Sequence, residues 1–366
     1  MAYTTIDDAS KHFQITLYTG SGSSTQNVVN GGNSDLQPDL VWVKHRGATR
    51  WHRLVDSSRG ASKNLYINED DAEGTEASVT AFNSDGFSLG TDTGSDGWNE
   101  DSDAHVAWQW KANGGTATAS GAESGNNPAY SVQANQTAGF SIVTYTGTGA
   151  EGDVTHGLGG KPDFILIHVR NGEGDEPWPT WHKDLVDADA DNGGYIYANT
   201  TGQDQVTSVF YEGDAISNTV VAFKGGGANL NADGKNYVMY CFRGIQGYSK
   251  FGRYTSNNNA DGVFVWTGFK PKFVVIKKAT AVGEWHVLDT ERDTTAPGNP
   301  VDRDLYWSGN YAEGSGAQFT DFLSNGFKLR SAHTGTNGES TSEAFIYIAF
   351  AEHPFVSSKG TPTTAR

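Results

Sequence analysis

Three Trp-His dipeptides are the residues in this sequence best suited to contact a ligand. They are Trp51-His52, Trp181-His182 and Trp285-His286. A Trp indole can stack on the face of a sugar ring, and a His imidazole can hydrogen-bond the sugar hydroxyls. A pair that recurs at a similar place in each part of the chain is equally typical of a packing position, where a large indole is buried. The sequence leaves both interpretations open, and packing is the simpler one.

Metal binding has two candidate loops, and Asn68-Glu69-Asp70-Asp71 is the weaker one. A zinc site built from His52, His182 and His286 would need three distant segments to converge, whereas zinc ligands usually lie close together in the chain. The acidic loop at 92–103 is better suited to calcium, which prefers carboxylate and carbonyl oxygens. Its candidate ligands are Asp92, Asp96, Asp101 and Asp103. The loop lacks the register of an EF-hand, so a solvated acidic loop without a metal is the simpler alternative.

Two further tryptophans lie in segments that look like surface loops. Trp98 follows an acidic, glycine-rich run, and Trp178 stands between two prolines. An apolar ring exposed on a loop usually marks a contact surface. We therefore expect Trp98 and Trp178 to contact another subunit or a ligand.

The sequence contains no motif that indicates catalysis. It has no nucleophile elbow, no phosphate-binding glycine loop and no His-Glu-x-x-His pair. A glycosidase needs only two facing carboxylates, and the chain has 43 acidic residues, so a polysaccharide-degrading enzyme stays an alternative. The prediction is that the protein is not an enzyme and has no cofactor, with calcium as the one candidate ion.

The dipeptides belong to a longer pattern that occurs three times along the chain. Each copy has an opening Tyr-bearing segment, a continuous β-branched and aromatic run, a Trp-His pair, a second Tyr-bearing strand and an apolar closing run. The continuous runs lie at 40–44, 164–168 and 273–277. Such runs, bounded by Gly or Pro, are typical of strands buried on both faces or in a sandwich core.

This pattern predicts an all-β fold of three tandem antiparallel β-sandwich domains. Their predicted bounds are 1–115, 116–246 and 247–366, the last with a polar C-terminal tail. Each domain is expected to have its own hydrophobic centre. The first domain is expected to begin with a polar arm at 1–12. The Gly-rich segment 112–127 is expected to be a flexible connection, which would leave the first domain free to move. The short link at 243–251 should join the second and third domains rigidly. The tail beyond residue 355 is expected to be either a disordered end or a docking arm.

Composition limits the partners. The net charge of −17 disfavours nucleic acid and anionic membranes, because both attract Lys and Arg. No apolar run is long enough for a membrane helix, and the N-terminus lacks the pattern of a secretion signal. We therefore expect synthesis in the cytoplasm without membrane insertion. The single cysteine, Cys241, lies in an apolar run and predicts a buried thiol rather than a disulfide.

Several segments resemble a family of repeated β-sandwich domains of unassigned function from virion proteins of marine tailed bacteriophages. They include LQPDLVWVKHR at 36–46, FNSDGFSLG at 82–90, AGFSIVTYTGTG at 138–149 and FIYIAFAEHPF at 345–355. The resemblance implies concanavalin-like or jelly-roll sandwiches in a phage structural protein that is made in the host cytoplasm. It implies no catalytic residues.

Three functions follow as hypotheses. The first is a virion protein on the particle surface, as a tail fibre, adhesin or head decoration, with other virion proteins as partners. By analogy it would form a homo-oligomer, preferably a trimer, and contact the host surface. The second is a carbohydrate-binding module for a host glycan, and the third is a polysaccharide-degrading enzyme.

Overall fold

The computed structural model describes residues 2–23, 25–92, 97–172, 176–185, 194–204, 216–223, 230–293, 299–338 and 340–363. Over these residues the chain is all-β, as predicted, and its helical structure is one short 3-10 turn at Ala9–Lys11. No helix in these ranges is long and apolar enough to cross a membrane.

Each third of the chain forms one large antiparallel sheet with the same central strand order. The first third contains β1 (Phe13–Thr19), β2 (Gln26–Val28), β3 (Leu40–His45), β4 (Arg53–Asp56), β5 (Lys63–Tyr66), β6 (Gly74–Thr75), β7 (Val79–Asn83), β8 (Gly86–Leu89) and β9 (Ala104–Trp110). Its large sheet has the order β1-β9-β3-β4-β5-β6, and β2-β8-β7 forms a smaller sheet.

The second third repeats this arrangement. Its strands are β10 (Ala119–Gly121), β11 (Ala129–Asn135), β12 (Phe140–Thr146), β13 (Gly152–Thr155), β14 (Phe164–Val169), β15 (Pro179–His182), β16 (Ile196–Tyr197), β17 (Val220–Phe223) and β18 (Asn236–Phe242). The large sheet has the order β10-β11-β12-β18-β14-β15-β16, and β13 pairs with β17.

The third part has one continuous sheet. Its strands are β19 (Ser249–Thr255), β20 (Phe264–Trp266), β21 (Phe269–Lys278), β22 (Trp285–Asp289), β23 (Val301–Tyr306), β24 (Gly314–Leu323), β25 (Gly326–Leu329) and β26 (Ala344–Pro354). They follow the order β19-β26-β21-β22-β23-β24-β25-β20, and the sheet curls so that β21 also contacts β24 and β25. In all three sheets the closing strand lies between the opening and the central strand, which identifies structurally equivalent residues in what we call the three repeats.

The β-sandwich prediction is confirmed. In the first repeat, Val41 and Val43 of the central strand pack against Val28 and Phe87 of the small sheet. In the second repeat, Ile165 and Ile167 pack in the same way against the β13–β17 pair. The other faces of these strands are equally apolar and need a second partner.

That second partner is a core shared by all three repeats. Trp110, Phe242 and Phe350 occupy equivalent positions in the closing strands, and their rings form a triangle with centre-to-centre distances of 6.2, 5.7 and 6.0 Å. Trp42 and Phe164 belong to the same buried cluster. The prediction of three separate hydrophobic centres is therefore wrong. The inner faces of the three sheets surround one pseudo-threefold axis, where a small apolar cavity of about 30 Å³ remains.

The connection between the first two repeats also differs from the prediction. The Asp39 carboxylate accepts hydrogen bonds from the backbone N–H groups of Ala112, Gly114 and Gly115 at 2.7 to 2.9 Å. The segment continues into β10, which pairs with β11. The first repeat is thus joined to the second and shares its core, so the expectation that it moves freely is wrong.

Both termini dock onto the body of the protein. Ile6 and Ala9 of the N-terminal arm are buried, and the Tyr3 hydroxyl donates a 2.6 Å hydrogen bond to the Gly268 carbonyl. The backbone N–H of Ser358 in the tail donates to the Asp7 carboxylate at 2.6 Å. Residues 364–366 lie outside the described residues.

Candidate functional site

The contact regions between neighbouring repeats, which we call joints, contain four of the residues that the sequence singled out: His52, Trp178, His182 and Trp285. The pairing of strands shows which residues of the three repeats are equivalent. The equivalent central-strand residues Leu40, Phe164 and Phe273 pair with Asp56, His182 and Asp289, respectively. His182 therefore occupies the place of the two aspartates. Counting back along the same strands makes His52, Trp178 and Trp285 equivalent to one another. The three Trp-His dipeptides are not structurally equivalent, although the sequence pattern aligned them.

His52, Trp178 and Trp285 each donate a hydrogen bond to the neighbouring repeat. Trp178 Nε1 donates to the carbonyls of Glu69 at 2.9 Å and Tyr66 at 3.1 Å, and Trp285 Nε1 donates to the Tyr197 carbonyl at 3.3 Å. His52 Nδ1 accepts from Trp42 Nε1 at 2.9 Å, so its Nε2–H is free to donate to the Gly309 carbonyl at 3.1 Å.

The direction of these bonds closes the ring. The second repeat donates to the first, the third donates to the second, and the first donates to the third. Three backbone hydrogen bonds join the same pairs of repeats in the opposite direction, so each joint has donors from both sides. They run from Glu73 N to Arg170 O at 2.9 Å, from Asp204 N to Ala279 O at 2.8 Å, and from Glu313 N to Arg46 O at 2.7 Å.

The described residues include a buried chain of charges in the joint between the second and first repeats and another in the joint between the first and third repeats. In the joint between the second and first repeats, Asp56 pairs with Arg59, which also binds Glu73, and Glu73 binds Arg170 of the second repeat. The Tyr240 hydroxyl of the second repeat donates to Asp56 at 2.7 Å. Burial opposes the charge on Arg59, but the facing Asp56, Tyr240 and Glu73 raise its pKa above the usual value. A buried guanidinium with these partners fixes the two repeats together.

The joint between the first and third repeats has the same chain. Asp289 binds Arg292 at 2.6 Å, Arg292 binds Glu313 at 3.3 Å, and Glu313 forms a bidentate pair with Arg46 of the first repeat. Trp108 Nε1 of the first repeat donates to Asp289 at 3.1 Å.

The joint between the third and second repeats differs at the positions of the Asp-Arg pair. His182 and Leu185 replace the Asp and Arg of the other joints, and both are buried. His182 Nδ1 accepts from the Asp184 N–H at 3.2 Å, so Nε2–H donates to the Tyr347 carbonyl of the third repeat at 3.2 Å. Burial lowers the pKa of His182 to about 4, which keeps the ring neutral.

A second set of equivalent residues places titratable groups inside the joints. Lys44, His168 and Lys277 lie opposite equivalent closing-strand residues and are fully buried. Burial lowers the pKa of both lysines to about 7 and that of His168 to about 4. His168 stacks on Trp178 at 4.2 Å, and its Nε2 lies 3.0 Å from the Asp71 carbonyl of the first repeat.

The remaining members of the Trp-His pairs have separate surroundings. Trp51 is 42% exposed beside Tyr66, whereas Trp181 is buried in the sandwich core of the second repeat. His286 Nδ1 lies 2.8 Å from the Asp304 carboxylate within the third repeat. The structure therefore does not bring the three pairs together.

Trp98 and Trp178 are both buried, with 3% and 0% of their surface exposed, so the prediction that they are exposed is wrong. The Trp98 ring packs under the Arg53 guanidinium, 4.4 Å from the ring centre. Glycine and proline neighbours suggested surface loops, but these loops cover a sheet in one case and fill a joint in the other.

Among the described residues of the acidic loop, Asp92, Asp101 and Asp103 do not form a group of ligand atoms close enough for one metal ion. Asp92 is buried and accepts the N–H groups of Trp98 and Asn99 at 3.0 Å, whereas Asp101 and Asp103 are exposed. Asp96 lies outside the described residues. Backbone donors already satisfy Asp92, which a calcium ion would otherwise use.

A different set, His45, Glu100 and Asp103, has ligand atoms close enough for a metal ion. His45 Nδ1 accepts N–H groups from Gly47 and Ala48 at 3.0 Å, which leaves the proton on Nε2. Nε2 lies 2.9 Å from Glu100 and faces it as a donor. A protonated nitrogen cannot coordinate a metal, so this cluster fits a polar junction better than a metal site.

Sequence reasoning missed a polar corner that recurs in each sandwich. Tyr18, Tyr145 and Tyr254 each donate a 2.6 Å hydrogen bond to a loop carbonyl. Beside them, Asn99, Asn231 and Asn337 are fully buried and accept a backbone N–H from the loop that follows the opening strand. The recurrence of one Asn before each closing strand was the available signal.

Comparison with known proteins is consistent with treating the three repeats as one unit. No curated protein matches the chain significantly. A single family model matches residues 8–354, which includes all three repeats. The chain therefore belongs to the family described as Domain of unknown function (DUF7483).

Proposed function

We propose that this protein is a structural and interaction protein of a tailed bacteriophage particle. It would be displayed on the particle surface as a tail fibre or adhesin component, or as a head decoration. Support comes from the resemblance of its segments to virion β-sandwich proteins and from a rigid architecture suited to presenting loops. Its partners would be other virion proteins and, through exposed loops, the host surface.

The structural role is supported by the positions of the side chains that the sequence singled out. Several of the Trp, His, Arg and Asp side chains that could have formed a reactive site instead connect the repeats. Trp178, Arg59 and His182, for example, each bond to a neighbouring repeat. An enzyme concentrates such residues around one open cleft, whereas here they are divided among three buried joints. A non-enzymatic role without a cofactor therefore remains our proposal.

Homo-oligomerisation, with a trimer preferred by analogy, is part of the proposal. The closed ring already supplies threefold pseudosymmetry within one chain, so it could sit on a threefold feature of a particle either singly or in a trimer. Sizing chromatography with light scattering distinguishes the two.

The test of the virion role is the location of the protein. Particles of a phage that encodes this chain would be purified on a density gradient, analysed by mass spectrometry and imaged by electron cryomicroscopy. We expect a fixed copy number per particle and density that fits the ring. A head-lattice position would indicate decoration, and a tail position would indicate adhesion. Presence in the lysate together with absence from purified particles would contradict the proposal.

The carbohydrate-binding role is the second candidate. Trp98 and Trp178 no longer support it, but Trp51 and Trp266 are 42% and 46% exposed and could stack on sugars. A glycan array with host polysaccharides tests binding. Incubation with the same polysaccharides, followed by a reducing-end assay, tests the third candidate, a degrading enzyme.

A further inference from the structure

A cleft of about 390 Å³ lies where the second and third repeats meet the N-terminal arm. Its walls include Tyr3, Asp163, Lys183, Gln246, Lys250 and Trp266. A cleft of this volume is large enough for one or two sugar units, and small-molecule sites are typically about 300 to 1,000 Å³. Because separate parts of the chain form it, the cleft exists only when the ring is assembled.

One wall is an exposed indole held in a fixed place. Trp266 is the last residue of β20, whose middle residue Val265 is buried, so the alternation of the strand turns Trp266 outward. Its ring packs edge-on against Phe355 at 5.6 Å. Lys250 Nζ donates a 2.7 Å hydrogen bond to the Trp266 carbonyl, which anchors the backbone. A rigid aromatic face beside a concave surface is suited to stack on a ring-shaped ligand.

Two ammonium groups face the same cleft in a protein with a net charge of −17. Lys183 pairs with Asp184 at 2.7 Å, whereas the Lys250 ammonium, among the residues the structure describes, has no carboxylate at ion-pair distance. Burial and the nearby Lys183 charge both lower the pKa of Lys250. A bound anion would relieve the repulsion between these lysines.

The cleft is a specialised feature of the third repeat. Gln14 and Ser141 are equivalent to Lys250, because all three pair with equivalent closing-strand residues. Gln14 and Ser141 are buried at 2% and 0% exposure, and Gln14 is bonded to the Ser34 carbonyl and the Gly32 N–H. Gln14 and Ser141 are therefore covered by neighbouring residues, and of the three equivalent residues only Lys250 lines a cleft.

We propose that the cleft binds a carboxylated pyranose, the uronate type of sugar unit found in acidic polysaccharides. The sugar ring stacks on Trp266, its carboxylate lies between Lys183 and Lys250, and Asp163 and Gln246 bind hydroxyl groups. This inference rests on the second candidate function, carbohydrate binding, for which it names a site and a sugar class, and it does not depend on the virion role.

The test uses the full chain and two matched probes, sodium glucuronate and glucose, in isothermal titration calorimetry. We expect glucuronate to bind at least fivefold more tightly than glucose and its affinity to fall as salt is added. Trp266→Ala should weaken glucuronate binding at least tenfold. Lys250→Gln with Lys183→Gln should remove the preference for glucuronate and leave the weak glucose affinity unchanged. Tyr311→Ala, which removes an exposed aromatic ring outside the cleft, is the control and should bind like the wild type.

Three results would overturn the inference. They are undetectable glucuronate binding by the wild type at tens of millimolar sugar, equal glucuronate affinity in the wild type and Trp266→Ala, and equal affinity of the wild type for both sugars. If Trp266→Ala does not fold, the double lysine variant decides the question. Because the measurement uses the isolated chain, a negative result leaves the virion location untouched, and absence from particles leaves the sugar site untouched.

Discussion

The Trp178 indole nitrogen lies 2.9 Å from the Glu69 carbonyl oxygen, so the second repeat donates a hydrogen bond directly into the first. Equivalent donors connect the third repeat to the second and the first to the third. This cycle, together with the aromatic triangle on the axis, makes the closed ring the folding unit. Four predictions about its joints, its charges and its metal requirement follow.

Trp178→Phe tests the joint between the first two repeats. Phe keeps most of the apolar contact but leaves the carbonyls of Glu69 and Tyr66 without their buried donor. We expect a loss of about 1–3 kcal/mol in the free energy of unfolding, measured by urea denaturation. Trp51→Phe is the control for an exposed indole and should change stability by less than about 0.5 kcal/mol. Equal losses of stability in the two variants would show that the hydrogen bonds of the Trp178 indole contribute nothing to the free energy of unfolding.

The buried pair Asp56 and Arg59 can be replaced by the residues that occupy the equivalent positions in the second repeat. Arg59→Leu alone should cost about 3–5 kcal/mol, because Asp56 is left charged and buried without its partner. The double variant Asp56→His with Arg59→Leu copies His182 and Leu185. It should be at least about 1 kcal/mol more stable than Arg59→Leu alone, because no buried charge is left unpaired. A double variant no more stable than Arg59→Leu would argue against equivalence of the joints.

Acid should loosen the ring through its buried histidines. Burial lowers the folded-state pKa of His168 to about 4, below the usual value of 6.5. The unfolded chain therefore binds the extra proton first, so this contribution to stability is complete above pH 6.5 and is lost as the pH falls towards 4. His168→Phe should reduce the slope of stability against pH in this window by up to about 1.4 kcal/mol per pH unit. The control is His353→Phe, the same exchange at a partly exposed histidine. Chemical denaturation midpoints between pH 4.5 and 7 provide the measurement, and identical slopes in the wild type and His168→Phe would refute the assignment.

Calcium and zinc should not stabilise the protein. Asp92 is already satisfied by backbone N–H groups, and His45 has its proton on the nitrogen that faces Glu100. We expect the same melting midpoint with millimolar calcium, with zinc at low concentration and with a chelator. A rise in the midpoint that saturates with added ion would indicate a metal site that the geometry argues against.

The sequence predicted the strands of this fold better than their packing. The continuous runs at 40–44, 164–168 and 273–277 are buried strands, and the all-β sandwich is confirmed. Strand periodicity shows that both faces of such a strand are buried, but not which segment covers each face. It therefore could not distinguish three separate interiors from one shared interior around Trp110, Phe242 and Phe350. The predicted bounds at 115/116 and 246/247 stay predictions.

The positions of the candidate site residues also could not be predicted from the sequence alone. Adjacency of Trp and His in the sequence suggested three equivalent pairs, but strand register places His182 with Asp56 and Asp289. Trp178 seemed exposed because prolines flank it, although its ring fills a joint. Neither error could be avoided without knowing the pairing of strands, because side-chain position depends on register and not on neighbouring letters.

Differential scanning calorimetry of the full chain tests the shared core most directly. A single closed ring should unfold in one transition in which the van't Hoff and calorimetric enthalpies are equal, a ratio near one. Three independent sandwiches would give several transitions, or a ratio near about one third, and that result would contradict the account.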